Sequence, residues 1–216
     1  MSIDRLLCDG WEFSKNLYGT EYGDALLWES VTLPHDWLIY DTKRLYETST
    51  GWYRRELMYE PQENECVSLR FEGVYMDSRV YVNQRLAGEW KYGYSTFEFD
   101  ITELLEKGRN LLSVQVNYRA PNSRWYSGAG IYRKVWLKTY ADCHLIADGV
   151  YVSADADGNV RITAEAERPE EIPVSMTETK SLYGRSAPAA LRKRPAYRSR
   201  CAGKAGNIRS TKAVSG

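Results

Sequence analysis

A chain of 216 residues, 43% hydrophobic and 13% aromatic, has room for one large domain, or one domain and part of a second, around a sizeable core. Its zero formal net charge hides an asymmetry: ten of the 29 Lys and Arg but none of the 29 Asp and Glu lie from Lys180 onward, leaving 19 basic and 29 acidic residues, a net charge of about −10, in residues 1–179. Cys8, Cys66, Cys143 and Cys201 are scattered and form no zinc pattern with the two histidines, and Met1–Gly10 holds no long apolar stretch; reduced thiols, no metal, no signal peptide, no membrane span and a cytoplasmic location are expected.

Short alternating segments follow one another up to about position 140. Trp52, Tyr53, Arg54 and Arg55 alternate on a strand, dividing between core and surface. Val67, Leu69 and Phe71 alternate with Ser68, Arg70 and Glu72. Val80 and Val82 flank Tyr81, and Asn83-Gln84-Arg85 reads as a hairpin turn into Leu86-Ala87-Gly88. Asp100–Gly108 has cap-like residues first and a glycine last, which predicts one helical turn plugging an end of the sheet layers. Leu112, Val114 and Val116 form the next alternating strand; Ile131, Arg133, Val135 and Leu137 share one face of another, which turns Arg133 inward as a satisfied buried charge. Period-two patterning at this spacing predicts an all-β, jelly-roll-like antiparallel sandwich over residues 1–141.

A second unit begins near Asp142. Val150–Ser153, Asn159–Thr163 and Pro173–Met176 read as three strands around the turn Asp155–Gly158. An immunoglobulin-like sandwich needs about seven strands, so residues 142–179 are expected to be a partial one. The basic stretch 180–216 has no sustained periodicity and few aromatics; a disordered tail without nucleic-acid binding is expected there.

Two stretches carry chemistry. Pro121–Leu137 reads Pro-Asn-Ser-Arg-Trp-Tyr-Ser-Gly-Ala-Gly-Ile-Tyr-Arg-Lys-Val-Trp-Leu. It joins Arg124, Trp125 and Tyr126 to a Gly-Ala-Gly hinge whose Gly128 and Gly130 suit a sharp backbone turn. Arg124 and Trp125 either contact a ligand or pin this loop to a neighbouring domain, while Tyr126 fits the pinning role better. In Leu33-Pro34-His35-Asp36-Trp37, Pro34 stiffens a loop. Asp36 and Trp37 would offer an acceptor and a stacking face to a ligand, or would tie the loop down while Trp37 packs beneath it; His35 fits the second role.

These runs, with Gly10-Trp11-Glu12-Phe13, Gly51-Trp52-Tyr53-Arg54, Phe71-Glu72-Gly73-Val74, Val80-Tyr81-Val82-Asn83, Tyr92-Gly93-Tyr94-Ser95 and Asp100-Ile101-Thr102, stand in one order. Together they resemble the N-terminal sugar-binding domain of glycoside hydrolase family 2, the β-galactosidases, β-glucuronidases and β-mannosidases. The resemblance covers positions 9–140 well and 142–176 weakly, and departs at Gln84, where the family has glycine. It implies the front part of a β-galactosidase-like enzyme, cut before the catalytic barrel that carries the acid and nucleophile.

Asp36, Trp37, Arg124 and Trp125 are then the substrate-binding candidates, with a β-linked saccharide, most of all a galactoside, and the barrel as partners. No catalytic residue and no cofactor is expected, nor any nucleic-acid or membrane partner. Glu63 and Glu65, Glu165 and Glu167, and Glu170 and Glu171 are close in sequence. Hydrolysis needs two carboxyls about 5 to 9 Å apart across the sugar, and loop or strand-surface pairs are far more often solvated. The alternative reading, from another class, is a stand-alone carbohydrate-binding module.

Overall fold

The computed structural model describes residues 3–24, 27–40, 43–44, 46–121, 128–141, 143–156, 160–167 and 190–193. Two antiparallel sheets face each other. The larger, in the order β3 (Glu29–Val31), β2 (Trp11–Leu17), β4 (Ser49–Tyr59), β9 (Gly108–Tyr118), β6 (Ser78–Val82), β7 (Arg85–Trp90), has six strands. The smaller has four, β1 (Ile3–Leu6), β10 (Val135–Ala141), β5 (Glu65–Phe71) and β8 (Phe97–Asp100). Some sequence neighbours fall in different sheets: β4 pairs with β9, while β5, which follows β4, pairs with β10 and β8. These crossings make the expected jelly-roll-like sandwich.

The core lies between the sheets and follows the alternation. Val67, Leu69 and Phe71 on β5 and Val135 and Leu137 on β10 face Val80 and Val82 on β6 and Leu112, Val114 and Val116 on β9; all are buried. Trp11 and Phe13 from β2 and Tyr53 and Leu57 from β4 extend that layer. Fully burying such a side chain contributes about 2 kcal/mol, which fixes each strand's register: a one-residue slip would turn the set to solvent.

One local expectation needs correction, and two further points add detail. Arg133 is exposed, because β10 begins only at Val135. The chain over 132–134 follows a bridge to Tyr75 and is not in strand geometry, so the alternation does not extend back to Arg133. Its guanidinium instead lies over the Tyr132 ring, 5.4 Å from the centroid. The helical turn after Asp100 is a 3-10 turn of three residues, Thr102–Leu104. Asp100 accepts hydrogen bonds from the Thr102 backbone N–H and hydroxyl, and Ile101 lies in the core. Trp52 points to the outer face of the six-stranded sheet, yet it is buried. The segment before Tyr22–Asp24 crosses that face, and Thr20 O accepts from both Trp52 Nε1 and Gln115 Nε2.

The β6–β7 hairpin turns through Asn83 and Gln84, both at positive φ (50° and 65°). That is the backbone two-residue hairpins favour, and Gln84 adopts it where a glycine would be less strained.

Beyond the sandwich, β11 (His144–Ala154), β12 (Val160–Glu167) and β13 (Ala190–Lys193) form a separate three-stranded sheet. Val150, Tyr151 and Val152 are all exposed, although successive strand residues face opposite sides of a sheet. Within the basic stretch expected to lack order, Ala190–Lys193 departs from that expectation. It pairs parallel to β12, whose open edge offers unpaired backbone groups. The expected strand Pro173–Met176 and Cys201 lie outside the described residues. Cys8 and Cys66 are buried thiols within the sandwich. No helix among the described residues is long and apolar enough to cross a membrane.

Candidate functional site

Loop 33–40 and residues 128–131, two of the stretches read from the sequence, meet in the structure. Loop 33–40 lies alongside residues 129–131: His35 N donates to Ile131 O and Trp37 N to Ala129 O, each at 2.9 Å. Between these two bonds Gly130 faces the other way and exchanges backbone hydrogen bonds with Tyr75 (2.8 and 2.9 Å). Three separate segments thus form a short ladder. Gly130 is required in it: its φ is +141°, and a Cβ would sit 2.3 Å from His35 O. This is the backbone role expected for the Gly-Ala-Gly hinge.

Asp36 is 4% exposed. Its Oδ1 accepts from the backbone N–H of Leu38 (2.8 Å) and Ile39 (3.1 Å), an Asx turn that sets the shape of the loop. Trp37 is 8% exposed. Its ring stacks on Phe13 at 5.3 Å, lies where a Cβ of Gly51 would collide, and donates Nε1–H to Ser49 Oγ at 3.0 Å. In this arrangement the indole supports the loop from beneath. His35 Nδ1 meets the Tyr53 hydroxyl at 2.8 Å, the tying role expected of it. Burial lowers the His35 pKa from 6.5, against the pull of Glu29 and Asp36, so the ring is neutral near neutral pH.

Arg124 and Trp125 lie outside the described residues. Before them Ala120 N donates to Thr48 Oγ1 at 3.0 Å; after them Gly128 and Ala129 are buried beside loop 33–40.

Tyrosines surround the wall that loop 33–40 makes with residues 129–131, a feature the sequence reading missed. Tyr118 is buried, and its pKa is raised first by that burial and then by the nearby Tyr46 and Asp36. Tyr75 touches both Tyr118 (6.3 Å between centroids) and Tyr94 (5.3 Å). The signal was the count of 17 Tyr, with Tyr-Gly-Tyr at 92–94; no local periodicity says that Tyr75 joins them to the Gly130 bridge.

Chemically, the wall offers a buried carboxylate, phenol hydroxyls and aromatic surface. Those groups bind hydroxylated rings. Elsewhere Glu65 accepts from the Tyr59 hydroxyl, whose pKa is pushed up to about 12, burial being the larger cause. Glu65 is thus tied into the β4–β5 turn, well apart in the fold from loop 33–40. No group of three or more His, Cys, Asp or Glu able to hold a metal ion occurs among the described residues.

Comparison with known proteins agrees with this architecture. Residues 14–141 match the model of the glycosyl hydrolases family 2 sugar binding domain. A β-galactosidase of Bacteroides ovatus is 37% identical over 142 residues, covering 60% of this chain and 17% of the relative. A putative β-glucuronidase of Formosa agariphila is 31% identical over 176 residues, 74% of this chain and 16% of the relative. Among solved structures, a family 2 member from Bacteroides cellulosilyticus superposes with a TM-score of 0.62 at 32% identity, over 71% of this chain and 23% of that one. A putative β-galactosidase from Bacteroides fragilis gives 0.64 at 28%, over 72% and 26%. The chain thus spans about a sixth of the length of these two sequence relatives, and through residues 14–141 it belongs to glycosyl hydrolase family 2, as a bearer of that family's sugar-binding domain.

Proposed function

We propose that this chain is the sugar-binding front part of a β-galactosidase-like glycoside hydrolase, that it forms one wall of the substrate pocket, and that it is inactive alone. The observation that carries the reading is the ladder joining loop 33–40 to residues 129–131, which sets Asp36 beside the last residues of the sequence run that holds Arg124 and Trp125. Asp36, Arg124 and Trp125 are the residues we assign to the saccharide, with Trp37 packed beneath the Asp36 loop. The remaining wall, and the carboxylates that would cleave a β-glycosidic bond, belong to a catalytic barrel. A galactoside is the substrate class proposed, although the relatives' names divide between β-galactosidase and β-glucuronidase. The other partners and the setting proposed are no nucleic acid, no membrane and the cytoplasm.

Isothermal titration calorimetry of the chain with galactose, lactose and glucuronic acid tests this. Weak binding of the two galactose-containing sugars, lost in Trp125→Ala and weakened in Asp36→Asn, is expected. Asn keeps an acceptor for Leu38 N and Ile39 N but removes the charge. Tight binding that neither substitution changes would move the site elsewhere and favour an independent carbohydrate-binding module.

A further inference from the structure

We infer that Tyr92 and Tyr94 form a second sugar subsite continuous with the first, so that the ligand of this domain is a β-linked oligosaccharide of at least two or three units. The inference rests on the saccharide reading above. It begins with exposure: Tyr92 is 62% exposed and Tyr94 37%. Their rings meet edge to face at 5.7 Å, which leaves a face of Tyr92 open.

These rings are held on a pinned loop. Gly93 packs so closely on Tyr75 that a Cβ would lie 2.4 Å from its ring. The Tyr132 hydroxyl donates to Gly93 O at 2.8 Å. At the far end Trp90 Nε1 donates to Ser95 Oγ at 3.0 Å while its ring stacks on Phe97. A loop tip usually sheds such anchors; here they hold large aromatic surface in water with little freedom left to lose on binding.

Position supplies the second argument. Tyr75, which bridges Gly130 in the wall of the first site, also touches Tyr94. Tyr94 is therefore joined to the segment beside Asp36 through one buried side chain, Tyr75, and Tyr92 through Tyr94. An aromatic face beside phenol hydroxyls suits a pyranose, whose C–H face stacks while its hydroxyls bond.

Frontal affinity chromatography on the immobilised full chain would compare galactose with a β-linked galactotriose. The triose should bind about tenfold more tightly, the scale of one added stacking contact. Tyr92→Ala should bring the triose down to the galactose level and leave galactose unchanged, and Tyr92→Phe should keep the gain. Asp36→Asn should weaken both sugars. If galactose and triose bind equally, or Tyr92→Ala weakens both in parallel, the second subsite is refuted while the wall stands. If neither sugar binds the unsubstituted chain, the wall and the subsite fall together.

Discussion

Replacing Gly130 by alanine tests the ladder that builds the site. Two costs add. The backbone stays at φ +141°, a region almost closed to residues with a Cβ, at about 1–3 kcal/mol. The new methyl would also lie 2.3 Å from His35 O and 2.7 Å from the Tyr53 hydroxyl. Neither neighbour can retreat freely. His35 is held by its N–H to Ile131 O, and the Tyr53 hydroxyl by His35 Nδ1. Parting the segments would loosen several backbone hydrogen bonds, each of about 1 kcal/mol.

The expected total is about 3–5 kcal/mol, a fall in Tm of roughly 10–15 °C for a body of this size. Gly19→Ala is the control, since Gly19 also has positive φ (+86°) but nothing within 4 Å of a Cβ; only the backbone term of about 1 kcal/mol applies. Thermal melts followed by circular dichroism read both. If Gly130→Ala melts no lower than Gly19→Ala, the close approach of the two segments is not what the site depends on.

Other outcomes follow from the same contacts. Asp36→Ala should cost about 2 kcal/mol by leaving the Leu38 and Ile39 N–H groups without their acceptor, while Asp36→Asn should cost less than about 1 kcal/mol, read from urea midpoints. Burial alone would raise the Glu98 pKa, but hydrogen bonds from Ser68 and Tyr140 and the charges of Lys138 and Arg70 outweigh it and hold the pKa below 4.5. Its contribution is therefore complete above 4.5 and is lost as pH falls through the lower folded value, so the stability gap between the parent and Glu98→Gln should shrink from about pH 6 to about pH 3 in urea melts. Purified chain should show no turnover of nitrophenyl β-galactoside, β-glucuronide or β-mannoside; activity that survives further purification would place an acid and a nucleophile within these 216 residues.

The strands were legible wherever one face is buried. Val67-Ser68-Leu69 and Leu112-Ser113-Val114 announce their inward sides because the pleat alternates. The same rule misled at Arg133, where the apparent alternation runs back through residues held by a bridge. It was silent about Trp52, since burial on an outer face depends on a distant segment crossing it. In the site, the hinge at Gly130 and the tying role of His35 could be read from local chemistry. Tyr75, Tyr94 and Tyr118 could not, because their contacts join residues far apart in the chain. The pairing of Ala190–Lys193 with β12 escaped for the same reason: backbone edges recruit strands whatever the composition.

The most direct test is a map of amide shifts in the chain's 15N–1H NMR spectrum as lactose is added. A weak, saturable response, with a Kd of about a millimolar, should centre on Asp36, Tyr46 and Gly128–Gly130, reach Tyr92, and vanish in Trp125→Ala. Shifts centred instead on the outer face of the six-stranded sheet, around Trp52 and Tyr81, would contradict the assignment of the sugar to this wall.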